Sequence, residues 1–272
     1  MTETPPTREL PIGVFDSGIG GMTVVAALRR RLPAESILYL GDTARLPYGS
    51  KSPETVTGYT RHNLDFLIDR GIKAAVIACN TASALALPRL TPRVPTWGVV
   101  GPGARAAAAA TRGRLGVIAT ESTVRSDAYG EELRRLRPDA VVLSRSCPLF
   151  VPLVEEGWHD DPVTEEVARR YLGELLGQGV DTLVLGCTHY PLLKPLLQRV
   201  AGPDVSLVDS ASAVAEELAQ GLAERDLLTD GDAEPAHRLF VTDANDGFHE
   251  FARRILGDDT TLEWVDVGTG AR

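Results

Sequence analysis

Two stretches decide the fold: GIKAAVIACNT at residues 71–81 and GVDTLVLGCTH at residues 179–189. Each starts at a glycine, crosses an apolar run and reaches a cysteine eight residues later. Aligned on the glycines, Val76 meets Val184 and Cys79 meets Cys187. A short apolar run between a glycine and a polar cluster reads as a buried strand. A weaker pair, IGVFDSG from Ile12 and LGVIATES from Leu115, repeats the relation. The chain therefore reads as two related halves with one cysteine at an equivalent strand end in each.

Working outward, ten runs read as strands: IGVFD, SILYLGD, AAVIAC, TWGVV, LGVIAT, AVVLS, TLVLGC, VSLVD, RLFVTD and LEWVDV. Helical patterns lie between them. Ser52-Pro53 and Asp161-Pro162 each offer an N-cap residue followed by proline at the first helical position. Val163, Val167, Tyr171, Leu175 and Leu176 fall on one apolar face at helical spacing. Gly71 and Gly179 are helix stops. Strand–helix alternation of this kind is α/β with mostly parallel sheets. The Pro- and Gly-rich TPRVPTWGVVGPG, residues 91–103, marks one boundary, and Asp209–Ala213 a second crossing. The expected architecture is two pseudo-symmetric lobes, residues 1–97 with 212–272 and residues 98–211. Each is a mostly parallel sheet flanked by helices, with the site in the cleft between them. A single open sheet is the alternative.

The chain of 272 residues has room for such a core, and its 43 % hydrophobic content is that of a soluble globular protein. A net charge of −9 argues against broad contact with nucleic acid or an anionic membrane. No apolar run approaches the roughly 20 residues of a membrane span. The start, MTETPPTREL, lacks the basic and apolar regions of a signal peptide. With Cys79, Cys147 and Cys187 as the cysteines, the expectation is a cytoplasmic protein with free thiols. Lysine occurs only at 51, 73 and 194, which leaves three candidates for Schiff-base chemistry.

Ligands of parallel α/β sheets gather at the carboxyl ends of strands. Here those ends read Asp16-Ser17, Gly41-Asp42-Thr43, Cys79-Asn80-Thr81, Thr120 to Thr123, Cys187-Thr188-His189 and Asp209-Ser210. Any one could simply cap a helix; six together favour a site for a small polar molecule. A thiol at a helix N-terminus is expected to have its pKa lowered from about 8.5 toward neutrality. The plainer alternative is a buried, inert cysteine. Two matched thiols could act as acid and base on opposite faces of a substrate, as inversion of a stereocentre requires. His189 lies two residues from Cys187, a spacing that a loop, not a helix, would bring together. Asp16, in GVFDSGIGG, reads as a helix N-cap or as a group orienting a base or a substrate ammonium; the glycines would let backbone approach a ligand. Tyr48 and Gly49, in the loop LPYGSKS, are contact candidates or an ordinary turn. Lys51 looks exposed, Cys147 structural and Glu155 solvated. His62, His159, His237 and His249 form no metal-binding pattern. A disulfide or a metal pair at Cys79 and Cys187 has no CxxC or Cys/His cluster behind it.

Taken together, FDSGIGG, GDTARLPYGSKS, ACNTASA, CPLFVPLVEEG and GCTHYPLL resemble the signature blocks of glutamate racemases, in that order. The resemblance runs from about Ile12 to FVTDANDGFHEFARRILG. It implies cofactor-independent interconversion of L- and D-glutamate, the latter for peptidoglycan. By resemblance, Cys79 is the base for D-glutamate and Cys187 the base for L-glutamate. Asp16 supports the first cysteine; Glu155 and His189 support the second. Asp16, Ser17, Pro47, Tyr48, Gly49, Asn80, Thr81, Thr123, Thr188 and His189 match substrate-binding positions. A homodimer and a contact with DNA gyrase are the partner candidates it adds. A racemase of aspartate, a binding protein and a thiol-redox or metal protein are the rival readings.

Overall fold

The computed structural model describes residues 7–231 and 234–268; the opening MTETPP, on which part of the signal-peptide expectation rests, lies outside them. Strands form at all ten expected runs: β1 (Ile12–Asp16), β2 (Ile37–Gly41), β3 (Ala74–Ile77), β4 (Thr96–Gly98), β5 (Arg114–Ala119), β6 (Val141–Ser146), β7 (Thr182–Gly186), β8 (Ser206–Asp209), β9 (His237–Val241) and β10 (Leu262–Trp264). They build two sheets, not a single open one, in the orders β10-β9-β2-β1-β3-β4 and β6-β5-β7-β8. Every strand pairing is parallel.

The sheet orders explain the sequence repeat. Within the larger sheet, β2-β1-β3-β4 has the same order as β6-β5-β7-β8. Val14 of β1 pairs with Val76 of β3, as Val117 of β5 pairs with Val184 of β7. Cys79 and Cys187 thus leave equivalent strands. Parallel strands need crossover connections, and these are helical and bury the strands on both faces. Accordingly, β1, β2, β3 and β7 are buried along their whole length.

The helix Ser210–Ala223 joins the lobes. It packs against Met22–Arg31 of the first lobe and Val100–Ala110 of the second. Its Val214, Leu218 and Leu222 belong to a core cluster that also holds Val14 of β1 and Leu183 and Leu185 of β7. Burying each of these side chains is worth about 1.5–3 kcal/mol, so the junction is apolar and tight.

Local signals behave as their chemistry requires, with one shift of face. Ser52 and Asp161 cap the helices Pro53–Ile68 and Pro162–Gly177 through their side chains. Gly71 and Gly179 both take φ +75°, the left-handed turn that ends a helix. In Pro162–Gly177, however, the buried residues are Thr164, Ala168, Leu172 and Leu175, while Val163 is 52 % exposed. Packing on β6 and on the helix Lys194–Ala201 sets that face, and it lies one residue away from the one expected for Val163 and Val167. Lys73, just before β3, is buried with Glu35, Nζ to Oε2 2.5 Å. No helix among the described residues is long and apolar enough to cross a membrane.

Candidate active site

A cavity of about 390 Å³ opens where strand ends of the two sheets meet. That size suits a small metabolite. The first lobe contributes Ser17, Gly18, Leu46–Ser50 and Cys79–Thr81; the second contributes Thr120, Glu121, Pro148, Val151, Pro152, Glu155 and Gly186–His189. Both matched cysteines reach this wall as free thiols, Cys79 5 % exposed and Cys187 7 % exposed. Among the described residues no lysine or arginine lines the cavity. Lys51 is half-buried outside the wall, and Lys194 pairs with Asp209.

Cys79 is the N-cap of the helix Asn80–Leu85, and its Sγ accepts from the Ala82 N–H at 3.4 Å. The helix terminus alone would lower its pKa, but burial wins. Burial, then the Asp16 carboxylate, pushes the thiol up to about 12, against the hydrogen bonds from Ser17 and Ala82. The expected shift toward neutrality is therefore reversed, and burial favours the protonated thiol at Cys79. Asp16 lies fully buried behind Ser17. Its Oδ2 accepts from Gly18 N at 3.1 Å and Gly21 N at 3.0 Å, and its Oδ1 has no partner. It does not cap the helix Met22–Arg31, whose N-cap is Gly21; it ties down the loop before that helix. Burial raises the Asp16 carboxyl above its ordinary value despite those bonds and despite His189.

Cys187 sits differently from the expected helix start. It leaves β7 into a turn, Cys187–His189, followed by a 3₁₀ segment Tyr190–Leu193. That turn lets side chains two residues apart meet: Cys187 Sγ lies 3.8 Å from His189 Nδ1. The other ring nitrogen, Nε2, is 3.1 Å from Glu155 Oε1. Burial alone would lower the His189 pKa; the hydrogen bonds and charges of Cys187 and Glu155 outweigh it and raise it to about 10. His189 is then an imidazolium at neutral pH. Glu155 is not a merely solvated carboxylate: its side chain is 29 % exposed and is engaged by His189.

Of the glycines of GVFDSGIGG, Gly18 lines the cavity, whereas Gly20 allows a close approach of protein to protein. A Cβ on Gly20 would stand 2.5 Å from His189 Nδ1 and 2.5 Å from Thr188 Oγ1. Beside it, the Thr23 hydroxyl donates to the carbonyls of Gly20 at 2.8 Å and Thr188 at 3.1 Å. From another direction Phe251 meets the His189 ring, centroids 6.2 Å apart. The first lobe thus holds a side chain of the second.

Ser17, Pro47, Tyr48, Gly49, Asn80, Thr81, Thr188 and His189 all reach the wall. Tyr48 presents its ring and backbone, because its hydroxyl donates to the buried Asp42 carboxylate. Asp42 also accepts from Arg45 Nε at 2.8 Å and Asn63 Nδ2 at 3.1 Å. Thr123 stands behind the wall, bonded to Thr81 Oγ1 at 3.1 Å and Thr120 Oγ1 at 3.0 Å. Cys147 is buried outside the cavity wall, with burial raising its thiol pKa. Among the described residues no three His, Cys, Asp or Glu side chains cluster as metal ligands. Sequence reasoning gave no packing role to Gly20 and marked Asp42 only as part of a polar strand end, without its bonds to Tyr48, Arg45 and Asn63. The three glycines in seven residues of FDSGIGG were a signal of close packing; Pro148–Pro152 falls in the block CPLFVPLVEEG, where no wall residue but Glu155 was singled out.

The family described as Asp/Glu/Hydantoin racemase matches residues 21–218. Glutamate racemase of Geobacter metallireducens is 52 % identical over 249 residues, 90 % of this chain and 92 % of that protein. The crystal structure of a glutamate racemase isoform from Bacillus anthracis superposes with a TM-score of 0.91 at 39 % identity, over 95 % of this chain and 98 % of that one. Glutamate racemase of Francisella tularensis, in complex with D-glutamate, gives 0.89 at 37 % identity, over 96 % and 98 %. The fold and its cleft are those of an amino-acid racemase. The chain belongs to the Asp/Glu/hydantoin racemase family.

Proposed function

We propose that this enzyme interconverts L- and D-glutamate without a cofactor, using Cys79 and Cys187 as its two bases. The observation that carries the reading is that one free thiol from each sheet reaches a single cavity whose wall also carries hydroxyl and amide groups. The identity to glutamate racemases supports glutamate as the substrate. Ser17, Asn80, Thr81 and Thr188 would hold the two carboxylates through hydroxyl and amide N–H groups, and the Asn80 Nδ2 has no protein partner. Asp16 would steady Cys79, and Thr123 would orient Thr81 from behind.

For L-glutamate, Cys187 takes the α-proton as thiolate and becomes a thiol. The electron pair stays on the α-carbon and its carboxylate. Cys79 then gives its proton to the opposite face and is left as thiolate. D-glutamate runs the reverse, and proton exchange with solvent resets the pair. In this direction Cys79 starts with its proton, as burial favours. With no electron sink, positioning and preorganised dipoles must supply the stabilisation. The product would serve peptidoglycan synthesis in the cytoplasm. A homodimer and a gyrase contact rest on resemblance; sedimentation and a gyrase pull-down test them.

The test follows each enantiomer by circular dichroism in deuterated water. Decay of both signals to zero with deuterium at the α-carbon supports the reading, and Cys79→Ser and Cys187→Ser then assign the faces. Activity on aspartate alone would move the substrate. Full activity in either serine variant would end the two-thiol mechanism.

A further inference from the structure

The Asn80 amide is aimed by a residue from the other lobe. Asn80 begins the helix Asn80–Leu85 of the first lobe and is 3 % exposed. Its Oδ1 accepts from the hydroxyl of Tyr129 at 2.7 Å. Tyr129 lies on Ala128–Leu136 of the second lobe and is itself 2 % exposed. Ser210, at the start of the helix joining the lobes, lies beside Tyr129 around Gly103. Space for this arrangement comes from Gly103, where a Cβ would stand 3.1 Å from both the Tyr129 Oη and the Ser210 Cβ.

The donor fixes a direction. A hydroxyl has one proton to give. Tyr129 gives its own to Asn80 Oδ1, which holds the amide oxygen at the Tyr129 hydroxyl and turns the N–H₂ away from it. Its Nδ2 is buried and has no hydrogen-bond partner among the described residues, and Asn80 is part of the cavity wall.

We propose that Tyr129 is a positioning residue for the racemase reaction: its hydroxyl, bonded to Asn80 Oδ1, holds the Asn80 N–H donors toward a substrate carboxylate. The inference rests on the reading of Asn80 as a substrate contact. Because the bond crosses between lobes, the donor is aimed only while the lobes are together.

The experiment is a double-mutant cycle on the full chain, with kcat and KM measured for both glutamate enantiomers and melting temperatures taken throughout. Tyr129→Phe keeps the ring and removes the hydroxyl. It is expected to raise KM about tenfold with a smaller change in kcat, the loss of an aimed hydrogen bond to a charged group. In an Asn80→Ala background the same change should do nothing further, because its target is gone. Multiplying effects in the Tyr129→Phe, Asn80→Ala pair, or a fall in kcat with KM intact, would overturn the role given to Tyr129. An Asn80→Ala enzyme with the parent's KM for both enantiomers would overturn it by removing the contact on which it rests.

Discussion

Replacing Gly20 with alanine would put a methyl carbon 2.5 Å from His189 Nδ1 and 2.6 Å from His189 Cε1. Ordinary contact begins near 3.4 Å, so the ring or the loop must give way by about 0.9 Å. The ring has little room to do so, with Phe251 packed against it and Glu155 holding Nε2 at 3.1 Å. The His189–Cys187 approach, 3.8 Å, is already long and will not survive a shift of that size in an unfavourable direction. A misplacement of about 1 Å can cost on the order of 100-fold in rate. We therefore expect kcat/KM to fall about 100-fold, about 2.7 kcal/mol of transition-state stabilisation. L- and D-glutamate have equal free energies in water, so kcat/KM must fall equally in both directions. The asymmetry appears in isotope effects. If the step at Cys187 is the one slowed, α-deuterated L-glutamate should show a larger primary effect than in the parent. α-Deuterated D-glutamate should show a smaller one, because its deuterium leaves through Cys79 in the step that is not slowed. The assay is circular dichroism with labelled and unlabelled enantiomers, with a melting curve to confirm folding. A folded Gly20→Ala enzyme with the parent's kcat/KM, or one whose loss leaves both isotope effects unchanged, would refute the clamp.

Glu155→Gln removes one of the groups that raise the His189 pKa against burial, so the alkaline limb of kcat/KM should move down from near 10. The folded pKa lies above the ordinary 6.5, so the stabilisation is complete below that value and is lost as pH rises through about 10. Melting temperature should accordingly begin to fall at lower pH in the variant, and coincident pH profiles would contradict this. Tyr48→Phe leaves Asp42 to Arg45 and Asn63; it should cost about 1.5–3 kcal/mol of stability, read by denaturant unfolding, and raise KM through the loop Pro47–Ser50. Lys73→Met strands Glu35 in a buried site, and unfolding should show a loss of about 3–5 kcal/mol with little change in KM, since neither residue lines the cavity.

The strands were legible because parallel strands buried on both faces are written as short apolar runs between glycines and polar ends. The repeat carried more than periodicity could. By putting Cys79 and Cys187 at equivalent offsets, it tied β3 to β7 before any sheet order was known. What stayed illegible depends on contacts between distant parts of the chain. The buried face of Pro162–Gly177 is fixed by its neighbours, and Val163, Val167 and Tyr171 gave the same periodicity one residue away. The Cys79 thiol was misjudged for a related reason. A helix N-terminus is a local feature visible in sequence, whereas burial and the Asp16 charge arise only on folding, and they dominate. The same holds for Gly20 and Tyr129. Each acts across the cleft, on His189 and Asn80 respectively, through atoms that are far apart along the chain and adjacent only when the lobes meet. The surroundings of each thiol are thus assembled with help from the lobe that carries the other, so the two thiols cannot be tuned independently. A substitution in either lobe that loosens the closed arrangement should weaken both, even when it touches neither sulfur.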